Sequence, residues 1–202
     1  MPPQLVSFGL FQVNLYTLLI GVAGVAGVVY ARHCAGATWS QALNLHVVAA
    51  AAALIAGRIG YVFTNAGYFM EHARAALDFA NAPGLQAQAA LLGAVVVGLL
   101  LRMPRAAIVT ICLVGIGASI GCVPNGCGYG REVFWTGNPL LWLLRVDWPD
   151  VMLVRNPRLP TQLFTVAWLM VCLIAALRLR RPVWAIVMIA AGDWLIGFLR
   201  AG

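Results

Sequence analysis

Six apolar runs, each near the ~20 residues that a helix needs to cross a bilayer, divide this chain into membrane-length segments and short connections. They fall at about 16–30 (with a start as early as Leu10), 45–63, 85–101, 107–123, 162–177 and 183–199. Lipid offers the backbone no hydrogen bonds, so only helices and closed barrels span it. The runs are rich in Ala, Leu and Val and lack the two-residue alternation of barrel strands. This predicts an all-α, polytopic membrane helix bundle of six to seven transmembrane helices. Hydrophobic residues make up 62% of the chain and charged residues 9%; a soluble domain carries ~25% charged, so this composition cannot cover a surface in water. A seventh, short or re-entrant piece fits within 134–144. Trp135, Trp142 and Trp148 in the turn-rich stretch 124–160 suit the headgroup level.

The thirteen basic residues are all arginine, and the net charge is +7. They stand singly or in short groups between apolar runs and form no continuous stripe, which argues against nucleic acid as a partner. Loops one, three and five carry Arg32, Arg102, Arg105, Arg178, Arg180 and Arg181 with no acid among them. Loops two and four carry Arg74, Arg131, Arg145, Arg155 and Arg158, mixed with Glu71, Asp78, Glu132, Asp147 and Asp150. The acid-free clusters beside the span ends mark the inner side. The N-terminus and the long loop 124–160 are therefore expected outside, on one transmembrane domain over 1–202. The first run has no basic region before it and reads as a retained helix, not a cleaved signal.

Two ionisable residues fall inside spans: Arg58 in Ala56-Gly57-Arg58-Ile59-Gly60-Tyr61, and Asp193 in Ala191-Gly192-Asp193-Trp194-Leu195. Such residues are costly in lipid and mark function by default. Arg58 reads as a headgroup ligand, or else as half of a structural ion pair with Asp193 or as a snorkelling side chain. For Asp193 the structural role is the better reading.

The glycine-dense segment from Gly115 to Arg131 has two parts. Up to Gly121 its small residues read as a helix-packing face. From Asn125 to Arg131 it reads as the wall of a polar pocket, because Pro124 interrupts the helix and Asn125-Gly126 is a strong turn pair. A third segment, Arg155-Asn156-Pro157-Arg158-Leu159-Pro160-Thr161-Gln162, places two arginines before a span that Pro160 and Thr161 begin. Arginine forks and helix N-termini both favour phosphate; the bland alternative is unspecific contact with lipid headgroups. Cys122 and Cys127 do not form a zinc pattern, and whether they pair depends on Cβ geometry. His33, His46 and His72 are scattered, and His46 reads as a hydrogen-bonded packing residue.

Taken in series, these segments resemble the bacterial prolipoprotein diacylglyceryl transferases. Gly57-Arg58-Ile59-Gly60-Tyr61 is similar to that family's glycine-arginine-glycine-tyrosine segment. Residues 121–131, with Asn125-Gly126-Cys127 and Tyr129-Gly130-Arg131, resemble its signature loop. Arg158-Leu159-Pro160-Thr161-Gln162-Leu163-Phe164 resembles its Arg-His-Pro-Ser-Gln-Leu-Tyr segment, and Tyr16 falls where the family has a tyrosine opening a core span. The resemblance implies an enzyme of the bacterial plasma membrane. It would move diacylglyceryl from phosphatidylglycerol, or another anionic phospholipid, to the thiol of a lipobox cysteine on a precursor protein, without cofactor or metal. It implies Tyr16, Arg58, Asn125, Tyr129, Arg131, Arg158 and Gln162 as substrate-binding residues, with the three arginines converging on one outward hollow. The chain departs from the family pattern at Gln88, where a histidine is expected, and at Ser119 and Asp193, where arginines are. Cys122 and Gly197 also differ, standing in place of an asparagine and a glutamate. These departures imply an alternative, a catalytically impaired relative that binds phospholipid without transfer.

Overall fold

The computed structural model describes residues 5–8, 11–78, 84–128, 130–133, 139–147 and 155–199. The described residues are predominantly helical, and they divide into two compact units, residues 28–111 and residues 1–27 with 112–202. The main helices are α1 (Leu15–His33), α2 (Trp39–Thr64), α3 (Ala66–Glu71), α4 (Ala87–Leu100), α5 (Pro104–Asn125), α6 (Pro139–Leu143), α7 (Thr161–Arg178) and α8 (Val183–Gly197). Four of them, α1, α2, α5 and α7, are long and apolar enough to cross a membrane; α4 and α8 are apolar but shorter. Large apolar side chains lie exposed along them, among them Val47, Ile55, Leu92, Val171 and Leu195. An apolar surface of that extent is unsuited to water and suited to lipid. The chain is a polytopic helical membrane protein.

Local sequence sets the helix ends. In the 28–111 unit, Thr38 and Gln41 form a capping box: the Thr38 hydroxyl accepts from the Gln41 N–H at 3.2 Å, and the Gln41 carbonyl accepts from the Thr38 N–H at 2.9 Å. That reciprocal pair starts α2 at Trp39, six residues before the apolar run that announced it. Gln86 caps α4 by accepting from Ala89 N–H at 2.6 Å. The end of α4 is a Schellman turn, with Met103 N–H bonded to Gly98 and Arg102 N–H to Leu99. Arg102 takes the left-handed position at φ 55°.

Helices α2 and α4 pack through a seam of small residues. A Cβ on Gly60 would lie 2.5 Å from Ala89 Cβ, and one on Gly93 would lie 2.6 Å from the Ala52 carbonyl oxygen. Without a hydrophobic drive between helices in lipid, such backbone approach supplies the dispersion contacts that hold them together. His46 behaves as expected of a packing residue: Nδ1 bonds the Ala42 carbonyl and Nε2 the Thr110 hydroxyl.

In the other unit the chain begins with an antiparallel hairpin, Leu5–Phe8 against Phe11–Asn14, which the apolar pattern did not announce. The first helix accordingly starts at Leu15 and not near Leu10, because Asn14 is an N-cap: its side-chain oxygen accepts from Tyr16 N–H at 2.8 Å. The glycines of α5 divide between two neighbours. A Cβ on Gly115 would meet Leu169 of α7 at 2.7 Å, whereas on Gly117 and Gly121 it would meet the Leu19 carbonyl oxygen and the Tyr16 Cα of α1, each at 2.8 Å. The stretch up to Gly121 is thus a packing face. Trp168 of α7 donates its indole N–H to the Met188 carbonyl of α8 at 2.8 Å and lies across Gly192. The piece expected within 134–144 contains only the five-residue α6, far short of a span; residues 134–138 lie outside the described residues.

Replacing Gly60 by leucine forces α2 and α4 apart. Its expected cost is about 1–3 kcal/mol, as for overpacking in a tight core. Thermal unfolding in detergent should record a clear fall in Tm for Gly60→Leu and almost none for the lipid-facing Val47→Leu.

Candidate functional site

Lipid-side chemistry needs polar groups held at membrane depth, and each unit supplies one set. In the 28–111 unit, Arg58 is 5% exposed, and its fork gathers backbone carbonyls. Nε donates to Ala76 at 2.8 Å, Nη1 to Gly84 at 3.2 Å, and Nη2 to Ala75 at 2.6 Å and Asp78 at 3.4 Å. The guanidinium also lies 5.6 Å from the Tyr61 ring centre and 5.5 Å from that of Phe69. Ala75 and Ala76 close a 3-10 turn (Ala73–Ala76); the Ala75 carbonyl also accepts from the Asp78 N–H at 3.2 Å. The hydrogen bonds therefore describe a brace that fastens the segment after α3 to the body of α2. Tyr61 covers Gly84 so closely that no side chain fits there.

Gln88, at the position where a histidine was expected, accepts from the Gln86 side-chain amide. Gln86 is itself the cap of α4 and donates its backbone N–H to the Gly57 carbonyl at 2.9 Å. Gln88 thus belongs to the helix-start network.

In the other unit, α5 ends in a second Schellman turn. Cys127 N–H bonds the Cys122 carbonyl, Gly126 N–H bonds Val123, and Gly126 sits at φ 67°. The two residues that usually make the hydrophobic contact of this turn are here Cys122 and Cys127, and they form a disulfide with Cα atoms 4.9 Å apart. The C-x4-C spacing across Pro124-Asn125-Gly126 is the signal that foretells it. Asn125 turns back onto its own helix, donating to the Gly121 carbonyl at 2.8 Å and to Asn14 Oδ1 at 3.4 Å. Asn14, which sequence reasoning did not single out, therefore links the cap of α1, with the half-buried Tyr16, to the end of α5.

Beyond the disulfide the loop is fixed by α7. Thr161 donates its hydroxyl to the Gly128 carbonyl, and Gln162 donates Nε2 to the Cys127 carbonyl at 2.6 Å. Thr161 is not the helix cap: Pro160 stands at that position without a side-chain cap bond, since Thr161 is directed to the loop. Gln162 is 4% exposed, and its Oε1 is buried without a hydrogen-bond partner. Because a carbonyl can only accept, the bond to Cys127 assigns which end of the amide is Nε2. The orphan is therefore an acceptor awaiting a donor, a costly state when buried.

Residues 130–133 then pair with 157–159. Gly130 N–H bonds Leu159, Val133 N–H bonds Pro157, and Arg158 also exchanges two backbone bonds with Val146. Gly130 is pressed between Leu159 Cβ at 2.8 Å and the Leu199 carbonyl oxygen at 2.6 Å, measured from a Cβ placed on it. Glu132 faces Arg158 across this ribbon, and their side chains form an ion pair at 3.0 Å that Asn156 joins at 2.6 Å. Alternation along an extended strand sends Arg131 to the other side, where it is exposed and bonds through its side chain to no described residue. The structure gives Arg158 a carboxylate partner and leaves Arg131 exposed on the same ribbon. Tyr129 lies outside the described residues.

The disulfide gives a direct test. Under denaturing, non-reducing conditions a maleimide should label three cysteines, Cys34, Cys112 and Cys172, and after reduction all five. Intact mass reads the count, and labelling of five without reductant overturns the pairing.

A search of curated proteins found none that matches this chain. A family model, prolipoprotein diacylglyceryl transferase, matches residues 3–200. The chain belongs to the prolipoprotein diacylglyceryl transferase family.

Proposed function

We propose that this protein moves the diacylglyceryl group of phosphatidylglycerol to the thiol of a precursor's lipobox cysteine. It would do so in a bacterial plasma membrane, with its N-terminus and the loop 124–160 outside. The observation that carries the reading is the buried Gln162 amide, whose Oε1 lacks a donor beside the loop that leads to the exposed Arg131. Of the lipid's groups, a headgroup hydroxyl is the donor that completes such an acceptor, and the phosphate is the anion that suits a guanidinium. In the reaction the cysteine thiolate attacks the terminal glyceryl carbon of the diacylglyceryl moiety. A C–S bond forms, the C–O bond to phosphate breaks, and its electron pair leaves with glycerol phosphate. The thiol proton passes to water or to the departing phosphate. Negative charge grows on the phosphate oxygens, so Arg131 acts most strongly as the bond breaks.

In this reading Arg58 and Arg158 keep other work. Arg58 braces the segment between α3 and α4, and Arg158 with Glu132 holds the ribbon that carries Arg131. Asn125 and Tyr16 fix the junction of α1 with α5. A second reading rests on Gln88: with its side chain tied to Gln86 and no titratable proton, it supplies no general base. A relative that binds phospholipid without transfer follows from that.

Purified protein incubated with phosphatidylglycerol and a lipobox peptide should add one diacylglyceryl mass to the peptide thiol. Arg131→Ala is expected to lower the rate by about 10²–10³, as for loss of one charge-stabilising donor. A wild type that transfers nothing where a family enzyme succeeds supports the binding-only relative. Rescue of growth in cells depleted of their own transferase excludes that relative.

A further inference from the structure

The opposite end of α2 from Arg58 carries a second polar concentration that the transferase reading does not use. Nineteen residues separate Trp39 from Arg58, about 28 Å along a helix, close to the thickness of the hydrocarbon core. There the connections α1–α2 and α4–α5 enclose a cavity of about 400 Å³, lined by Gly36, Gln41, Asn44 and Arg102, with Leu101 and Met103 at its apolar side. No acid occurs from Tyr30 to Gln41 or from Leu99 to Ala106, whereas Arg32, Arg102 and Arg105 do.

Arg102 is the telling residue. It holds the left-handed position of a Schellman turn, and it is the one non-glycine residue with positive φ among those described. Glycine takes that position without steric cost, so an arginine kept there trades backbone comfort for its side chain, a pattern found at ligand sites. None of the hydrogen bonds among the described residues uses that side chain, nor that of Asn44. Arg32 stacks on Trp39 with 5.8 Å to the ring centre, and its Nε is buried without an acceptor. The first turn of α2 adds N–H groups beyond the one that Thr38 satisfies. The Arg102 and Asn44 side chains thus line the cavity with donors that no described acceptor meets.

The surroundings name the source of one. Trp39 is half exposed, as a residue at the headgroup level is, and the surface leading away from the cavity, Leu43, Val47, Leu99 and Leu100, is exposed and apolar. We propose that this cavity binds the phosphate of an anionic phospholipid in the leaflet at this end of α2. Arg102, Asn44 and Gln41 are its donors, and the acyl chains lie along the apolar surface. This site is independent of the transferase reading.

The test compares wild type with Arg102→Gly, which removes the guanidinium while suiting the left-handed turn, and with Asn44→Asp, which places a negative charge in the cavity and leaves the turn alone. Full-length protein is taken from vesicles of phosphatidic acid or of phosphatidylcholine, and retained lipid is counted by native mass spectrometry. Wild type should retain phosphatidic acid about tenfold better than either variant, the scale of one interfacial arginine plus a charge-assisted bond. The three proteins should retain phosphatidylcholine alike. Arg102→Gly should melt at or above the wild-type Tm, which separates lost binding from lost folding. Wild-type retention of phosphatidic acid in both variants, or in Asn44→Asp where Arg102→Gly melts lower, overturns the site. A rise in wild-type Tm with millimolar inorganic phosphate alone, and no preference among lipids, overturns its assignment to lipid.

Discussion

A carbonyl that leaves a helix at membrane depth must find a donor, and the two loop regions here are built on that obligation. Arg58 gives its fork to the carbonyls of Ala75, Ala76, Asp78 and Gly84, and Thr161 and Gln162 serve Gly128 and Cys127 in the same way. A buried carbonyl left without a donor costs about 1–3 kcal/mol. A side chain that meets such a carbonyl becomes part of the backbone's own support. Residues that look like ligands in the sequence are therefore scaffold in part.

The helices were legible because hydropathy and length are local properties. The six apolar runs coincide with α1, α2, α4, α5, α7 and α8 to within a few residues, except where a cap moved an end. Thr38-Trp39-Ser40-Gln41 is a visible capping box, and Asn14 a visible cap, and each sets a helix end that apolar content alone places elsewhere. The hairpin before Leu15 was missed because Phe11-Gln12-Val13-Asn14 is too short for alternation to stand out.

The site was legible in its residues and illegible in its pairings. A guanidinium in a span signals a polar partner, but sequence cannot tell a carbonyl from a phosphate, so Arg58 was read first as a ligand. Arg158 and Glu132 are twenty-six residues apart and meet only because 130–133 pairs with 157–159. The disulfide, left open by the sequence, follows from a Schellman turn that puts Cys122 and Cys127 at the two positions whose side chains touch.

The shortness of α4 has a consequence for the bilayer beside it. Fourteen residues rise about 21 Å, well under the ~30 Å of hydrocarbon, whereas its partner α2 reaches about 39 Å with twenty-six residues. By length alone, α4 fits a thinner hydrocarbon layer than α2 does, so the two partners of one seam ask different thicknesses of the lipid around them.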